Sequence, residues 1–282
     1  MRRSPCIAVL ALLATSLAAQ EKKDEAKKDV PRVALVVPLG VNAGVPTTVR
    51  IRGVKLSDAT EVKFPGAKPP VAATIKSKGK ADLPQGLEAA DVGDTQVEVE
   101  LTIPTETPAG EVPLVVVTPA GASEPHALQV TDPATTVEEK EGNNGFRQAQ
   151  ALKPPATVRG RIENTEDVDV FSFTAKSGQT LVAEVEAAKH GSALDSLLTL
   201  YDARGNVLAT NDDAAADADS AAAEDDNAAL KDPARQQAAR AKRDSLLRFR
   251  CPSDGTYYLA LLDANGRGSA THVYQLGVKL EN

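Results

Sequence analysis

The stretch Thr95-Gln96-Val97-Glu98-Val99-Glu100-Leu101-Thr102-Ile103 alternates without a break. Val97, Val99, Leu101 and Ile103 fall on one face, and Thr, Glu and Gln fall on the other. A strict period of two is the mark of a strand with one face in a core and one in water. Outward from it, similar short segments recur at Val33–Val37, Thr47–Arg52, Glu61–Phe64, Ala72–Lys76, Val112–Thr118 and Ala127–Val130, each bounded by Gly, Pro, Asn or Asp. About seven short strands in roughly 100 residues predict two antiparallel sheets packed face to face. Lys76 to Asp94 is the longest gap and reads as a loop. Phe64 is the one aromatic residue of this half, so its core must be built from Val, Leu, Ile and Ala.

Asp132 to Glu141 is polar and reads as a second boundary. Beyond it the composition changes, because eight of the nine aromatic residues lie at or after Phe146. Strand-like segments resume at Thr157–Ile162, Asp169–Thr174, Thr180–Ala187, Leu197–Asp202, Val207–Thr210, Leu246–Cys251, Thr256–Leu262 and His272–Val278. Asp202-Ala203-Arg204-Gly205-Asn206 has the composition of a hairpin turn. Ala214 to Arg243 breaks the pattern. Asn211 to Asp226 holds seven acidic residues and no basic one, and Leu230 to Arg243 favours helix. This stretch reads as an inserted Ala/Asp-rich loop, solvated rather than metal-binding.

The start of the chain is an address. Met1-Arg2-Arg3 is basic, Ile7 to Leu17 is apolar or small, and Ala18-Ala19 precede the first acid at Glu21. That is the layout of a secretory signal peptide, and the apolar run is too short to span a bilayer, which takes about 20 residues. Cys6 leaves with it, so Cys251 has no partner for an intramolecular disulfide. Cys251 ends an alternating segment and reads as a small buried hydrophobe. The expected organisation is a signal peptide over 1–19, a charged linker over 20–31, a sandwich over 32–132, a linker over 133–138 and a second sandwich over 139–282 carrying an insert at 214–243.

Lys plus Arg total 32 against 39 Asp plus Glu, a net charge of −7 that becomes −9 when Arg2 and Arg3 are removed. That balance disfavours nucleic acid and anionic membrane surfaces, which reward basic patches. Residues 30–132 account for only −3, with 9 basic and 12 acidic residues. Much of the remaining acidity clusters at Glu138–Glu141, Glu166–Asp169 and Asn211–Asp226.

The second half resembles the bacterial pre-peptidase C-terminal domain. The matching stretches run in order: Glu139-Lys140-Glu141-Gly142-Asn143-Asn144, Gly160-Arg161-Ile162, Asp167-Val168-Asp169-Val170-Phe171-Ser172-Phe173, Ser177-Gly178-Gln179, Leu200 to Gly205, Asn211-Asp212-Asp213, Asp254-Gly255-Thr256-Tyr257-Tyr258 and Tyr274-Gln275-Leu276. The long Ala214–Arg243 stretch departs from the family. In the first half, Gly44 to Gly53 and Pro108 to Val117 resemble the IPT/TIG immunoglobulin-like domain. These resemblances imply an all-β protein of two tandem β-sandwiches, Ig-like and then jelly-roll-like. They imply a non-catalytic accessory module appended to exported proteins, with Ca²⁺ as the expected cofactor at Glu139, Glu141, Asn143, Asn144, Asp167 and Asp169. The chemistry of those residues agrees. Ca²⁺ takes six to eight oxygens from carboxylates, amides and backbone carbonyls. Glu139 and Glu141 point the same way in an extended segment, and four carboxylates gathered without a cation would repel one another.

No catalytic signature accompanies them. G-x-S-x-G, H-E-x-x-H, G-x-x-x-x-G-K-[ST] and G-x-G-x-x-G are all absent. His126, His190 and His272 are far apart in sequence and read as strand-end or turn residues. With no Trp, an aromatic-lined sugar cleft has little to work with, and paired acids such as Asp212 and Asp213 read as acidic loops. The expectation is therefore a secreted, non-enzymatic interaction protein, periplasmic, cell-surface or extracellular. Its expected partner is a protein or polysaccharide of the envelope or matrix, with no nucleic acid and no transmembrane segment after signal cleavage. A purely structural or secretion-assisting module and an enzyme with an unrecognised hydrolase site are the alternatives.

Overall fold

The computed structural model describes residues 30–213, 240 and 242–282. The expected signal peptide, almost all of the first linker and most of the 214–243 insert lie outside the described residues. The first half contains β1 (Arg32–Val37), β2 (Gly40–Asn42), β3 (Thr47–Val54), β4 (Glu61–Lys63), β5 (Ala72–Lys80), β6 (Thr95–Thr102), β7 (Gly110–Thr118), β8 (Gly121–Ala122) and β9 (His126–Thr131). They form one sheet in the order β1-β3-β6-β5 and a second in the order β2-β9-β7-β4, with β8 against β7. The second half contains β10 (Thr136–Glu138), β11 (Gln150–Ala151), β12 (Ala156–Arg161), β13 (Asp169–Ala175), β14 (Thr180–Glu186), β15 (Ser196–Tyr201), β16 (Val207–Asn211), β17 (Leu246–Arg250), β18 (Gly255–Asp263) and β19 (Val273–Glu281). Its sheets run β10-β12-β19-β14-β17 and β11-β13-β18-β15-β16. The protein is all-β, as two sandwiches in tandem.

The alternation in β6 has its expected consequence. Val97, Val99 and Leu101 are at most 1% exposed and join Val49, Ile51, Leu114, Val116 and Leu128 in a core drawn from both sheets. Burying each such side chain stabilises by about 1.5–3 kcal/mol. The opposite face of β6 is held by polar cross-strand pairs. Arg50 stands in register with Glu98, and Lys76 lies 2.7 Å from Glu100. The gap after Lys76 is partly strand, since β5 continues past a bulge between Ile75 and Ser77 as far as Lys80. A one-turn helix, α1 (Ala89–Val92), then precedes β6. In the second sandwich Phe171, Phe173 and Leu259 of one sheet meet Leu181, Tyr274 and Leu276 of the other. Cys251 is buried in that same core.

The 133–138 segment is only in part a linker. Thr136–Glu138 is β10, paired in parallel with Thr157–Arg159 of β12. Three residues are too few to show a period, so composition alone could not reveal the pairing.

The two sandwiches touch. Leu35 and Leu39 pack on Val273. The side chain of Arg159 bridges the halves, with Nε donating to Glu138 Oε1 at 3.0 Å and Nη1 donating to Gly40 O at 2.7 Å. At Gly191, which has φ +87°, an added Cβ would lie 1.9 Å from the Ala34 carbonyl oxygen. That approach is open to glycine alone.

Candidate metal centre

The end of β10, the start of β13 and the start of β19 converge on one acidic cluster. Glu139 extends the β10 ladder, its N–H donating to Arg159 O at 2.8 Å. Gln150 clamps the next residues: its Nε2 donates to Glu138 O at 2.9 Å, and its Oε1 accepts from Lys140 N at 2.8 Å. The chain turns at Gly142, with φ +89°, and Asn143 docks on β13 by accepting from Val170 N at 3.1 Å. These backbone contacts set Glu139, Glu141 and Asn143 beside Asp169, the first residue of β13.

One carboxylate oxygen from each of Glu139, Glu141 and Asp169 lies within 4.8 Å of the others. Two oxygens on a single Ca²⁺ stand at most about 5 Å apart, since each bond is roughly 2.3–2.6 Å; Mg²⁺, at about 2.1 Å, requires a tighter cluster. Asp169 is fully buried. Its Oδ2 accepts a 2.6 Å hydrogen bond from Tyr274 Oη. Its Oδ1, together with Glu139 Oε1 and both amide atoms of Asn143, is buried without a hydrogen-bond partner among the described residues. Unpaired buried polar atoms are uncommon in native proteins and call for a physical reason. Four in one place, three of them oxygens, fit an oxygen-coordinated cation.

The electrostatics agree with the geometry. Burial, then the charges of Asp169, Glu141, Asp167 and Glu163, push the Glu139 carboxyl up to about 8. Burial followed by Asp167 and Glu163 pushes Glu141 up to about 7. Asp169 also rises to about 7, burial outweighing the opposing Tyr274 hydrogen bond. Each carboxylate disfavours ionisation of its neighbours.

Of the six expected ligands, the structure gathers Glu139, Glu141, Asn143 and Asp169. Asp167 and Asn144 do not join them. Asp167 precedes β13 and turns back, its Oδ2 accepting from Glu163 N at 2.6 Å and its Oδ1 accepting from Asn144 Nδ2 at 3.2 Å. Both are satisfied within the chain and brace the cluster from outside. Tyr274 and Glu163 are the residues that sequence reasoning missed. Tyr274 reaches Asp169 because β12, β19 and β10 place Gly160 opposite Tyr274 and next to Glu139. Glu163, kept ionised by Arg161, adds negative charge at the rim.

Gly160 makes the room. A Cβ there would lie 2.3 Å from Tyr274 Oη and 2.8 Å from Glu139 Cβ. Gly160→Ala is therefore expected to displace both and destabilise the second sandwich by about 1–3 kcal/mol, the usual cost of overpacking. Chemical denaturation of the variant beside the parent checks this.

The histidines stand at strand ends or in a turn, as their sequence positions suggest, but two of them are buried. His190 and His272 are 3% and 2% exposed, and His126 is half-buried. His190 lies in a 3₁₀ turn (Ala188–His190) facing the first sandwich. His272 Nδ1 pairs with Ser269 Oγ at 2.9 Å, in the tight turn that leads into β19.

Comparison with known proteins places the second half. A probable subtilase-type serine protease of Deinococcus radiodurans is 37% identical over 100 residues, covering 35% of this chain and 10% of the relative. The chain thus spans about a tenth of the length of that curated relative. The pre-peptidase C-terminal domain of a Bacillus anthracis collagenase aligns with 46% of this chain and 94% of its own length, at 18% identity and a TM-score of 0.31. The Bacteroides ovatus mixed-linkage glucan protein SGBP-B aligns with 89% of this chain and 74% of its own, at 11% identity and a TM-score of 0.26. The family model described as the bacterial pre-peptidase C-terminal domain matches residues 167–262, which include Asp167 and Asp169 and lie wholly in the second sandwich. This stretch of the second sandwich is therefore similar to the bacterial pre-peptidase C-terminal domain.

Proposed function

We propose that this chain is an exported, non-catalytic accessory protein whose second sandwich is locked by one Ca²⁺. The ion sits among Glu139, Glu141, Asn143 and Asp169, with Asp167 and Tyr274 holding Asp169 and the 163–167 turn in place. The first sandwich, Ig-like in its strand pattern, is the partner-facing module, and the partner is a protein or polysaccharide outside the cytoplasm. The observation that carries the reading is the convergence of three carboxylates within 4.8 Å, with buried oxygens of Glu139 and Asp169 unpaired. Export is supported by the family match and by the leader-like residues 1–19. Among the described residues no helix is long and apolar enough to cross a membrane.

A ligand that binds only the folded state stabilises it by about 2.7 kcal/mol at one hundred times its dissociation constant. Millimolar Ca²⁺ is expected to raise the melting temperature of the chain by roughly 5–10 °C over a chelator control, and Mg²⁺ by much less. Identical melts with Ca²⁺ and with chelator would remove the site.

A further inference from the structure

A second feature lies where the sandwiches meet. A cleft of about 470 Å³ opens between β1 and the β8–β9 turn on one side and the 188–190 turn on the other. Arg32 and His126 line it from the first sandwich; Lys189, His190 and Arg240 line it from the second. Clefts of this size between domains are common ligand sites.

The decisive group is His190. Gln129 Nε2 lies 3.3 Å from Glu111 Oε1 and 2.9 Å from His190 Nε2. The carboxylate accepts only from the amide NH₂, which fixes the orientation of the Gln129 amide. The same NH₂ then donates to His190 Nε2, so in the neutral ring the proton resides on Nδ1. Nδ1 is buried and has no partner among the described residues. A buried donor with nothing to donate to asks for an acceptor from outside the chain.

The surrounding charges specify the acceptor. Burial and then the charge of Arg240 lower the Arg32 guanidinium, and burial followed by His190 and Arg240 lowers His126 to about 4. Acids stand among these cations, and Glu186 Oε2 lies 3.8 Å from His190 Nε2. Glu111 takes Gln129 and Lys189, the latter at 3.3 Å; Glu186 also takes Lys189 at 3.3 Å; Asp91 meets Arg240 at 3.5 Å. Glu124 stands exposed at the rim. Guanidinium groups bind phosphate and carboxylate oxygens in two-pronged fashion.

We propose that the cleft between the sandwiches binds a small oxyanion, a phosphate or carboxylate group, through His190 Nδ1–H, Arg32 and Arg240. Bound there, the anion ties the two halves together, since its donors come from both. This site is separate from the acidic cluster and does not depend on it.

The test uses the full chain in metal-free buffer, titrated calorimetrically with inorganic phosphate and separately with citrate at constant ionic strength. Binding of either is expected, with the His190 imidazole nitrogen signals moving in step by NMR; the stronger arm names the oxyanion. Arg240→Gln, at a partly exposed position, should leave the melting temperature without anion unchanged and weaken binding at least tenfold. No heat from either anion up to 20 mM overturns the proposal. So does binding that Arg240→Gln and Arg32→Gln leave unaltered, or binding that leaves the His190 signals still.

Discussion

Replacing Asp169 by Asn is expected to raise the melting temperature of the metal-free protein and to abolish its response to Ca²⁺. The two effects have opposite sign, which separates a metal site from an ordinary structural carboxylate. Asp169 is fully buried and its carboxyl is pushed up to about 7, chiefly by burial and by Asp167 and Glu141. Ionising such a group in the fold, when it ionises near 4 in the unfolded chain, costs roughly 2–4 kcal/mol at neutral pH. Asn keeps an oxygen for the Tyr274 hydroxyl and carries no charge, so that cost disappears. A gain of roughly 5–15 °C follows for a domain of this size. Ca²⁺ loses a carboxylate at the centre of its cluster, and its stabilisation is lost with it. Glu61→Gln serves as the control. Glu61 is an exposed partner of Lys63 at 3.1 Å, and pairs of that kind contribute little. Paired thermal melts with Ca²⁺ and with chelator read out all three proteins. A metal-free Asp169→Asn protein that melts lower than the parent would mean that the charge is already compensated within the chain.

The second large effect is on pH dependence. Glu139, Glu141 and Asp169 titrate at about 8, 7 and 7 in the fold, all above their ordinary values. A carboxyl raised in this way binds its proton more tightly folded than unfolded. Its contribution is complete below the unfolded value near 4 and disappears as pH rises through the folded value. The metal-free protein is therefore expected to lose stability steadily between about pH 5 and pH 9. Ca²⁺ flattens the slope, because it binds the ionised form and competes with protons. With the ion saturating, stability should change little between about pH 6 and pH 8, since folded and unfolded chains then both hold these carboxyls ionised. Denaturant midpoints measured across that range, with and without Ca²⁺, should diverge increasingly toward high pH. Parallel profiles would contradict the assignment.

The readable and unreadable parts of this protein divide along the reach of local pattern. Thr95–Ile103 could be placed with its faces assigned because period-two burial is local, and β6 lies in its sheet as the alternation requires. Glu139 and Glu141 could be paired because residues two apart share a side of an extended chain. Asp167 and Asp169 have the same spacing and were expected to share a face in the same way. The strand begins only at Asp169, and Asp167 belongs to the turn before it, where its carboxylate satisfies the Glu163 N–H. The spacing was right and the strand boundary decided the outcome. Tyr274 lies 105 residues from Asp169 in the chain. It reaches Asp169 through the register of β12 with β19, and no local pattern carries register between distant strands. The buried histidines were hidden for the same reason, since what covers His190 is a strand from the other sandwich. β10 and β11, three and two residues long, are too short for any period to be seen, although β10 is what presents Glu139 to the site.

The central claim is that these carboxylates are gathered for a cation rather than merely exposed together. Calorimetric titration of the chain with Ca²⁺ at pH 7, in two buffers of different ionisation enthalpy, tests it most directly. The predicted result is saturable binding of one ion with release of about one proton or more, because groups that titrate near 7 and 8 must ionise to hold the metal. Heats that are absent at millimolar Ca²⁺, or that are identical in the two buffers, would contradict it.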